Sequence, residues 1–311
     1  MLVTCFASRV THLMRDVSHK TNTLRTATAS ATLRAKAETI TRIKNGELPK
    51  GDAITVAKVA GIQAAKNTPA LIPYCHPVPV EFVEVRFEFA ETTLTVLATV
   101  KSVYKTGVEM EALTAATIAA LTVYDMTKMV DEDVEIENVR LVEKRGGKSD
   151  FVVAQGATAT VITVSDSRKQ DDDRSGPTAV GILEEAGVEV SSTRIVSDDA
   201  DKIKEAIETA SGRLIVLTGG TGVGPRDNTP EVVRQFIEKE LPGVAEQIRR
   251  YGQDRTPTAM LSRTVCGITG DRLVLCLPGA PKGVEEGLRA VLPHLLHVLD
   301  VLKGAGHGAR A

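Results

Sequence analysis

The spacing of apolar residues changes character about half-way along the chain. In the first part, apolar side chains alternate with charged ones in EFVEVRFEF, and this period of two predicts a strand with one solvated face. Strands of this kind are predicted at residues 81–89, 93–100 and 134–144. Apolar residues at helical spacing predict helices at residues 36–44, 54–65 and 110–130. Helices packed on one antiparallel sheet indicate an α+β domain.

The second part contains continuous apolar runs in place of alternation. The runs TVITV, LIVL and LVLCL are each followed by a small polar word, namely SDS, TGGTG and PGAPK. Helices are predicted at residues 176–187, 199–210, 230–240 and 282–302. Buried strands that alternate with helices indicate an α/β domain with a mostly parallel sheet. Because ligands bind at the carboxyl ends of such strands, the three polar words mark a candidate site.

The length of the chain fits more than one domain. Its 311 residues correspond to two domains of roughly 150 residues each. The segment RGGKSDFVVAQGATA is rich in Gly, Ser and Ala, and the apolar pattern changes across it. We therefore place a boundary near residues 150–157 and predict domains at 1–152 and 156–311.

Composition excludes several classes of protein. The formal net charge of -2 supplies no general field for nucleic acid. No stretch approaches the roughly 20 apolar residues of a membrane helix. The four cysteines are widely spaced without a CxxC pair, which argues against a disulfide framework and a zinc ribbon. We expect a soluble, cytoplasmic protein that binds neither nucleic acid nor membranes.

Charged residues suited to proton transfer occur in several words of the first domain. Glu109 and Glu111 lie at the start of a predicted helix, where carboxylates either serve a site or simply cap the helix. Asp125 and Lys128 share one face of the same helix, as a catalytic pair or as an ordinary surface ion pair. The YCHP word predicts a rigid turn, and no second His or Cys stands at the spacing of metal ligands.

These words resemble, in order and spacing, the cyclic pyranopterin monophosphate synthase family of molybdenum cofactor biosynthesis (MoaC). The resemblance is carried by KGDAITVAKVAGIQAAKNTPALIPYCHP, KTGVEMEALTAATIAALTVYDMTK and VRLVEKRGGKSDF, and it covers about residues 15–151. It implies a ferredoxin-like α+β subunit in a homo-oligomer, hexameric through this domain, with sites at the subunit interface. It also implies conversion of 3′,8-cyclo-7,8-dihydro-GTP to cyclic pyranopterin monophosphate with release of pyrophosphate.

Site residues follow from this resemblance position by position. Asp125 matches the active-site acid of the family, and Lys50 and Lys128 match its essential lysines. Proton transfers during ring opening and rebuilding suit adjacent Lys and Asp side chains, and a triphosphate needs local cations. Tyr74 stands where the family commonly has Leu. The substrate-binding candidates are Arg25, Tyr74, Cys75, His76, Glu109, Met110, Glu111 and Lys148.

A glycine-rich word carries the candidate chemistry of the second domain. TGGTGVGPRDNTPE follows an apolar strand and opens a helix at Thr229-Pro230. It lacks the GK[ST] of a Walker A loop, so it is either a plain tight turn or a phosphate cradle. Its glycines would let backbone N–H groups approach a phosphate, and Asp227 would hold Mg²⁺ through oxygen ligation.

With VITVSDS, PGAPK and TAMLSR added, residues 157–303 resemble the MoaB/MogA family, molybdopterin adenylyltransferases that couple the pterin dithiolene to AMP from Mg-ATP. The resemblance implies a three-layer α/β, molybdopterin-binding-like domain that forms trimers. It maps two required aspartates to Asp198 and Asp227. Mg²⁺ is the implied cofactor, and ATP and molybdopterin are the implied substrates. The nucleotide-binding and pterin-binding candidates are Ser165, Asp166, Gly219, Gly220, Thr221, Gly222, Pro278 and Gly279.

The two resemblances together predict a bifunctional enzyme, a pterin-forming lyase joined to an adenylyltransferase. Two alternatives remain open for the second half. In the first alternative, it is a non-catalytic module for oligomerisation. In the second, it is a pterin-binding protein for storage or delivery. The presence of both Asp198 and Asp227 favours the enzyme.

Overall fold

The chain forms two compact units. The computed structural model describes residues 14–147, 156–166 and 173–304. The first unit falls within Met1–Asp150 and the second within Phe151–Ala311, and each has its own hydrophobic core. The boundary segment predicted near residues 150–157 lies mostly outside the described residues. No helix in the described ranges is both long enough and apolar enough to span a bilayer.

The first unit is a ferredoxin-like α+β domain, as predicted. Its sheet has the order β2-β3-β1-β4 with every neighbouring pair antiparallel, and α2 and α3 pack against each other. Small side chains let these layers approach closely, because buried alanines supply much of the contact surface on both helices. The elements are β1 (Thr23–Arg34), α1 (Ala37–Asn45), α2 (Ala53–Leu71), β2 (Phe82–Phe89), β3 (Thr93–Tyr104), α3 (Glu109–Thr127) and β4 (Glu135–Arg145).

A central strand of this sheet is absent from the sequence-based prediction. β1 pairs with both β3 and β4, yet its sequence TLRTATASATLR has few large apolar residues. Its buried side chains at alternate positions are Ala27, Ala29, Ala31 and Leu33, three of which are alanines. A period of two is therefore present, but alanine and threonine mark it only weakly by hydrophobicity.

The turn before α2 positions part of the candidate site. Asp52 of the PKGD word caps α2, because its Oδ1 accepts hydrogen bonds from the backbone N–H groups of Ile54 and Thr55 at 2.9 and 3.1 Å. The preceding helix α1 ends at Gly46, whose φ of 71° closes the helix in the left-handed region. These two ends fix the short connection that carries Lys50.

The second unit is a three-layer α/β domain, again as predicted. Its sheet has the order β6-β5-β7-β10-β9-β8; the first four strands are parallel to one another, and β9 is antiparallel to both of its neighbours, β10 and β8. Separate apolar clusters cover the two faces of the sheet. The elements are β5 (Thr158–Val164), α4 (Ser175–Glu185), β6 (Glu189–Val196), α5 (Ala200–Glu208), β7 (Leu214–Thr218), α6 (Thr229–Phe236), β8 (Lys239–Glu240), α7 (Pro242–Gln253), β9 (Val265–Thr269), β10 (Arg272–Leu277), α8 (Pro281–Val291) and α9 (His297–Leu302).

Two predicted helices of this unit are shorter than expected. The helix predicted at 282–302 is divided, because Pro293 has no N–H to donate and disfavours helical backbone at Leu292. The helix predicted at 230–240 ends at Phe236, where Ile237 becomes extended. The pattern also gives no prediction for α7, β6 or β9.

Candidate active sites

Three charged side chains of the first unit meet at the end of α3. Asp125 lies in the last turns of the helix and Lys128 follows at its C-cap, while Lys50 comes from the connection before α2. The Nζ of Lys50 lies 2.6 Å from Asp125 Oδ2, and the Nζ of Lys128 lies 2.8 Å from Oδ1. Lys50 Nζ also donates to the backbone carbonyl of Asp125 at 3.0 Å. One carboxylate therefore holds two ammonium groups, one on each oxygen.

The electrostatics of this triad fix the charge of its acid. Hydrogen bonds from Lys128 and Lys50 lower the pKa of Asp125 from 3.8 to about 2. The same contact raises the pKa of Lys128. Asp125 is thus a carboxylate at neutral pH, where it accepts hydrogen bonds and orients the lysines. The proton donors of the triad are the lysine ammonium groups.

A second group lies at the start of α3, around a buried carboxyl. Glu111 is 1% exposed, and its Oε1 accepts a hydrogen bond from Cys75 Sγ at 3.5 Å. Its Oε2 has no hydrogen-bond partner among the described residues. Burial raises the pKa of Glu111, and burial together with that carboxyl raises the pKa of Cys75 to about 11. The buried environment therefore shifts both groups towards their protonated forms.

The remaining candidates of the first unit surround this carboxyl or the nearby strands. Tyr74 and Met110 are exposed, and His76 Nε2 lies 2.7 Å from the carbonyl oxygen of Arg15. Glu109 pairs with Lys144, whose Nζ lies 3.6 Å from Oε1. Candidates elsewhere are Arg25, which donates to the carbonyls of Tyr104 and Lys105, and Lys148, which lies outside the described residues.

The two groups lie at opposite ends of one helix. Glu111 and Asp125 are both on α3, and the helical rise of about 1.5 Å per residue separates them by about 21 Å along its axis. The structure thus brings Lys50, Asp125 and Lys128 together, and separately gathers the residues around Glu111. A single copy does not unite them.

The glycine-rich loop of the second unit follows β7 at the carboxyl edge of the sheet. Gly219 and Gly220 have φ values of 107° and 62°, which favour glycine. A Cβ on Gly219 would lie 2.2 Å from the carbonyl oxygen of Val164, so the loop passes directly over β5. Gly279 packs against Gly219 from the end of β10. The glycine-rich motif therefore forms a turn that requires glycine at positions 219 and 220.

Carboxylates from three loops converge on this turn. Asp227 Oδ2 accepts a hydrogen bond from the backbone N–H of Gly224 at 2.7 Å. Asp198 Oδ1 is buried without a described hydrogen-bond partner, and it lies 3.1 Å from the position that a Cβ on Gly220 would take. Asp166 accepts from the backbone N–H of Asp198 at 2.9 Å. Burial raises the pKa of Asp198, and Asp166 and Asp227 raise it further.

This arrangement fits a divalent cation held together with phosphate. Oxygen donors are the ligands that Mg²⁺ prefers, and Asp198 offers a buried oxygen without a partner. Within the described residues no three His, Cys, Asp or Glu side chains are close enough to hold a metal by themselves. Mg²⁺ commonly uses one or two carboxylates and completes its shell with phosphate oxygens and water. Asp198 and Asp227 would supply the carboxylates here.

Arg263 holds the glycine loop in shape, a role that the sequence interpretation missed. Its Nε donates to the carbonyl of Gly222 at 2.7 Å, and its other nitrogens donate to the carbonyl of Asp227 and to Glu231. Its backbone N–H also donates to the carbonyl of Thr221 at 3.0 Å. Arg263 is the last residue of the TAMLSR motif. This residue type could have indicated the role, because a guanidinium can donate to several acceptors at once.

A buried acid supports the other side of the same edge. Asp173 accepts hydrogen bonds from Thr163 Oγ1 at 2.7 Å and from Ser175 Oγ at 2.7 Å. Burial acts to raise the pKa of Asp173, but these hydrogen bonds outweigh it and lower the pKa. Ser175 continues the network to Thr218 at 3.0 Å, at the end of β7. Ser165 donates its backbone N–H to Val196, and Thr221 is buried beside Ser262.

Two family models and a full-length relative match the chain. The MoaC family matches residues 14–147, and the family described as "Probable molybdopterin binding domain" matches residues 160–297. The "Molybdenum cofactor biosynthesis bifunctional protein" of Chlorobaculum tepidum is 41% identical over 299 residues, which cover 94% of this chain and 96% of that protein. The chain belongs to the family of molybdenum cofactor biosynthesis bifunctional proteins.

Other relatives match one half of the chain. The cyclic pyranopterin monophosphate synthase of a Roseiflexus species is 49% identical over 155 residues, covering 47% of this chain and 98% of that protein. The crystal structure of the molybdopterin biosynthesis enzyme MoaB from Thermus thermophilus is 37% identical, covers 49% of this chain and 99% of that chain, and has a TM-score of 0.44. The family matches confirm both predicted resemblances, a MoaC domain followed by a MoaB/MogA-type domain.

Proposed function

We propose that the first unit is a cyclic pyranopterin monophosphate synthase, which converts 3′,8-cyclo-7,8-dihydro-GTP to cyclic pyranopterin monophosphate and pyrophosphate. The observation that carries the proposal is the triad of Lys50, Asp125 and Lys128. Ring opening and rebuilding require protons to be delivered to and removed from ring atoms. Two lysines on one carboxylate are suited to that work, since the carboxylate orients them. Relatives with the synthase name support this assignment.

The synthase site is proposed to form between two copies of the chain. The groups around Glu111 and Asp125 lie about 21 Å apart on α3, too far for one pterin ring to touch both. A second copy would bring the start of its α3 to the triad of the first. Substrate binding by Tyr74, Cys75, His76 and Met110 would then come from one copy and proton transfer from the other. This arrangement agrees with the proposed homo-oligomer.

An anaerobic assay with synthetic 3′,8-cyclo-7,8-dihydro-GTP tests this half of the proposal. The wild-type chain should release pyrophosphate and form cyclic pyranopterin monophosphate in equal amounts, both measured by chromatography. The Asp125→Ala protein should bind the substrate but form both products far more slowly. A folded Asp125→Ala protein with normal turnover would remove Asp125 from the mechanism.

We propose that the second unit transfers AMP from Mg-ATP to molybdopterin. The observation that carries this proposal is the meeting of Asp198, Asp227 and the glycine loop at one edge of the sheet. Carbonyls of the loop at Gly222 and Asp227 are engaged by Arg263, which holds the loop in one conformation. That restraint leaves backbone N–H groups of the loop available to triphosphate oxygens.

The aspartates have distinct tasks in this proposal. Asp198 and Asp227 would hold Mg²⁺ beside the α- and β-phosphates of ATP, and the chemistry that the ion would supply there is neutralisation of phosphate charge. Asp198 presents a buried oxygen to that position, and burial keeps competing water away from it. Asp227 is oriented by the N–H of Gly224 and so reaches the site with a fixed geometry. Thr221 in the loop and Pro278 after β10 would contact the substrates.

Incubation of the purified protein with molybdopterin and Mg-ATP tests the transferase. Adenylylated molybdopterin and pyrophosphate should appear in the presence of Mg²⁺ and disappear with a chelator. The Asp227→Asn protein, which keeps the side-chain shape, should bind molybdopterin without transferring AMP. A wild-type protein that assembles as a defined oligomer and transfers no AMP would support the module for oligomerisation or pterin binding instead.

A further inference from the structure

A cavity of about 270 Å³ lies beside the glycine loop of the second unit. It is open to solvent on one side and is lined by residues of α7, of the 3₁₀ turn at Pro257–Leu261 and of α8. Its volume is close to the lower end of the range for small-molecule sites, about 300 Å³. The residues that line it include Gly252, Thr256, Ser262, Pro278, Gly283 and Glu286.

The cavity adjoins the glycine loop through two of its lining residues, Ser262 and Pro278. Ser262 lines the cavity, and its Oγ lies 3.4 Å from Thr221 Oγ1 in the loop. Pro278, another lining residue, precedes Gly279, which packs on Gly219. A molecule in the cavity would therefore lie next to triphosphate bound at the loop. That placement is the one required of the acceptor in an AMP transfer.

Glu286 places a carboxylate in the wall of this cavity. Its side chain is 13% exposed, and its ion-pair contact with Lys282 Nζ is 3.8 Å long, beyond hydrogen-bond distance. Lys282 itself is largely exposed, so it offers only a weakly held partner. Removing a carboxylate from water is costly unless donors satisfy it. Gly283 and Gly287 flank Glu286 on α8 and leave this wall without bulky side chains.

We propose that Glu286 is the residue that selects a pterin ring, an inference that rests on the proposed transferase function. A pterin presents two N–H donors side by side, from ring N3 and the 2-amino group. A carboxylate has two acceptor oxygens and no donor, so it matches that edge with two parallel hydrogen bonds. The corresponding edge of adenine has one donor and one acceptor, which a carboxylate matches poorly. The cavity therefore takes the pterin, and the nucleotide occupies the loop.

Binding of two fluorescent rings tests this assignment without relying on turnover. Pterin carries the 2-amino group, and lumazine carries an oxygen in its place. The wild-type protein should bind pterin more tightly than lumazine. Glu286→Gln should lose about 10- to 100-fold in pterin affinity, since two hydrogen bonds to a charged acceptor become one to a neutral acceptor. The amide of that variant can donate to the lumazine oxygen, so the preference should narrow or reverse.

Glu285→Gln is the matched control, because Glu285 is the exposed neighbour that pairs with Arg289 on the same helix. It should leave pterin affinity unchanged, and thermal unfolding should show that both variants are folded. Equal binding of the two rings by wild type, unchanged pterin binding in Glu286→Gln, or no binding of either ring would each overturn the inference. Discrimination between the rings by a protein that transfers no AMP would sustain the role of Glu286 and remove the transferase proposal alone.

Discussion

The two candidate sites hold acidic groups in opposite ways. In the first unit, Asp125 is half-exposed and neutralised by two lysine side chains, which lower its pKa to about 2. In the second unit, Asp198 is half-buried, its Oδ1 atom is buried without a described hydrogen-bond partner, and burial raises its pKa. In the first arrangement, the protons available for transfer lie on the neighbouring lysines. In the second, Asp198 Oδ1 is available to bind a cation. The chemistry proposed for each unit follows from that contrast.

The sites also differ in whether one copy of the chain completes them. The residues of the first site are divided between the two ends of α3. Those of the second converge on one loop, where Asp198 and Asp227 both approach the glycines of the same copy. A site divided in this way depends on assembly, and a site complete in one unit does not.

Reciprocal loss of the two activities is the largest expected effect. Asp125→Ala should reduce pterin formation by about 10²- to 10⁴-fold, because the lysines lose the group that orients them. Its AMP transfer should remain normal. Asp227→Asn should show the converse, with a loss of AMP transfer and normal pterin formation. Both rates can be measured on the same preparations.

A variant that loses both activities while its unfolding temperature is unchanged would contradict this independence. It would show that the chemistry of one unit depends on the other. Lys50→Ala and Lys128→Ala each remove one of the contacts that lower the pKa of Asp125. Both variants should likewise lose pterin formation and keep AMP transfer.

Loosening the glycine loop should have the next largest effect. Arg263→Lys keeps the charge, but a single ammonium does not span Gly222, Asp227 and Glu231 as the guanidinium does. We expect kcat for AMP transfer to fall by up to about 10²-fold through misplacement of the phosphates. Pterin affinity should change little. Arg289→Lys, on α8 away from the loop, should leave kcat unchanged, and a loss of pterin binding in Arg263→Lys would point to general unfolding instead.

The buried carboxyl of the first unit should show a smaller effect, on stability. Glu111 has a raised pKa in the folded chain, so the unfolded chain loses its proton first as the pH rises above 4.5. Its presence therefore costs stability at neutral pH and little in acid. Glu111→Gln should raise the free energy of unfolding by about 1 kcal/mol at pH 8, and the gain should shrink towards pH 4.5.

Urea unfolding of the wild type and Glu111→Gln at both pH values measures this difference. A gain of the same size at both pH values would show that packing, and not the charge of Glu111, is responsible. Pterin formation should fall in the same variant, because the carboxyl belongs to the substrate-binding group.

Expressing the two domains as separate proteins should have the smallest effect on the two activities. The proposed domains 1–152 and 156–311 each carry a complete family match, with MoaC at 14–147 and the molybdopterin-binding family at 160–297. Expressed apart, each should be soluble and retain its own activity near the rate of the full chain. Aggregation of either half would reveal apolar surface that the other covers.

Much of the fold is predictable because apolar periodicity is strong in most elements. The strand EFVEVRFEF and the buried runs of the parallel sheet each have one dominant pattern. β1 escapes prediction because three of its four alternating buried positions are alanines, which contrast only weakly in hydrophobicity with the intervening threonines. The edge strand β6 alternates in burial, but its serines and threonine give the pattern little apolar contrast.

The candidate sites divide in the same way. Short sequence motifs identified Asp125, Lys128 and Lys50, although only the fold shows that both lysines contact one carboxylate. Arg263 and Asp173 act through contacts with residues 10 or more positions away, at Gly222 and Thr163. Glu286 is an ordinary helical glutamate in the sequence, and only the cavity around it indicates a role. Contacts between distant segments are the information that a local pattern lacks.

Co-expression of two inactive chains tests the central contrast most directly. Asp125→Ala and His76→Ala disable opposite halves of the proposed shared synthase site, so mixed oligomers carrying different tags should regain pterin formation. One intact site per mixed pair would give up to about a quarter to a half of wild-type activity, depending on assembly. Asp198→Asn mixed with Asp227→Asn should regain no AMP transfer, because both acids belong to one copy. Failure of the first pair to regain activity, or recovery by the second pair, would contradict the division of one site and the completeness of the other.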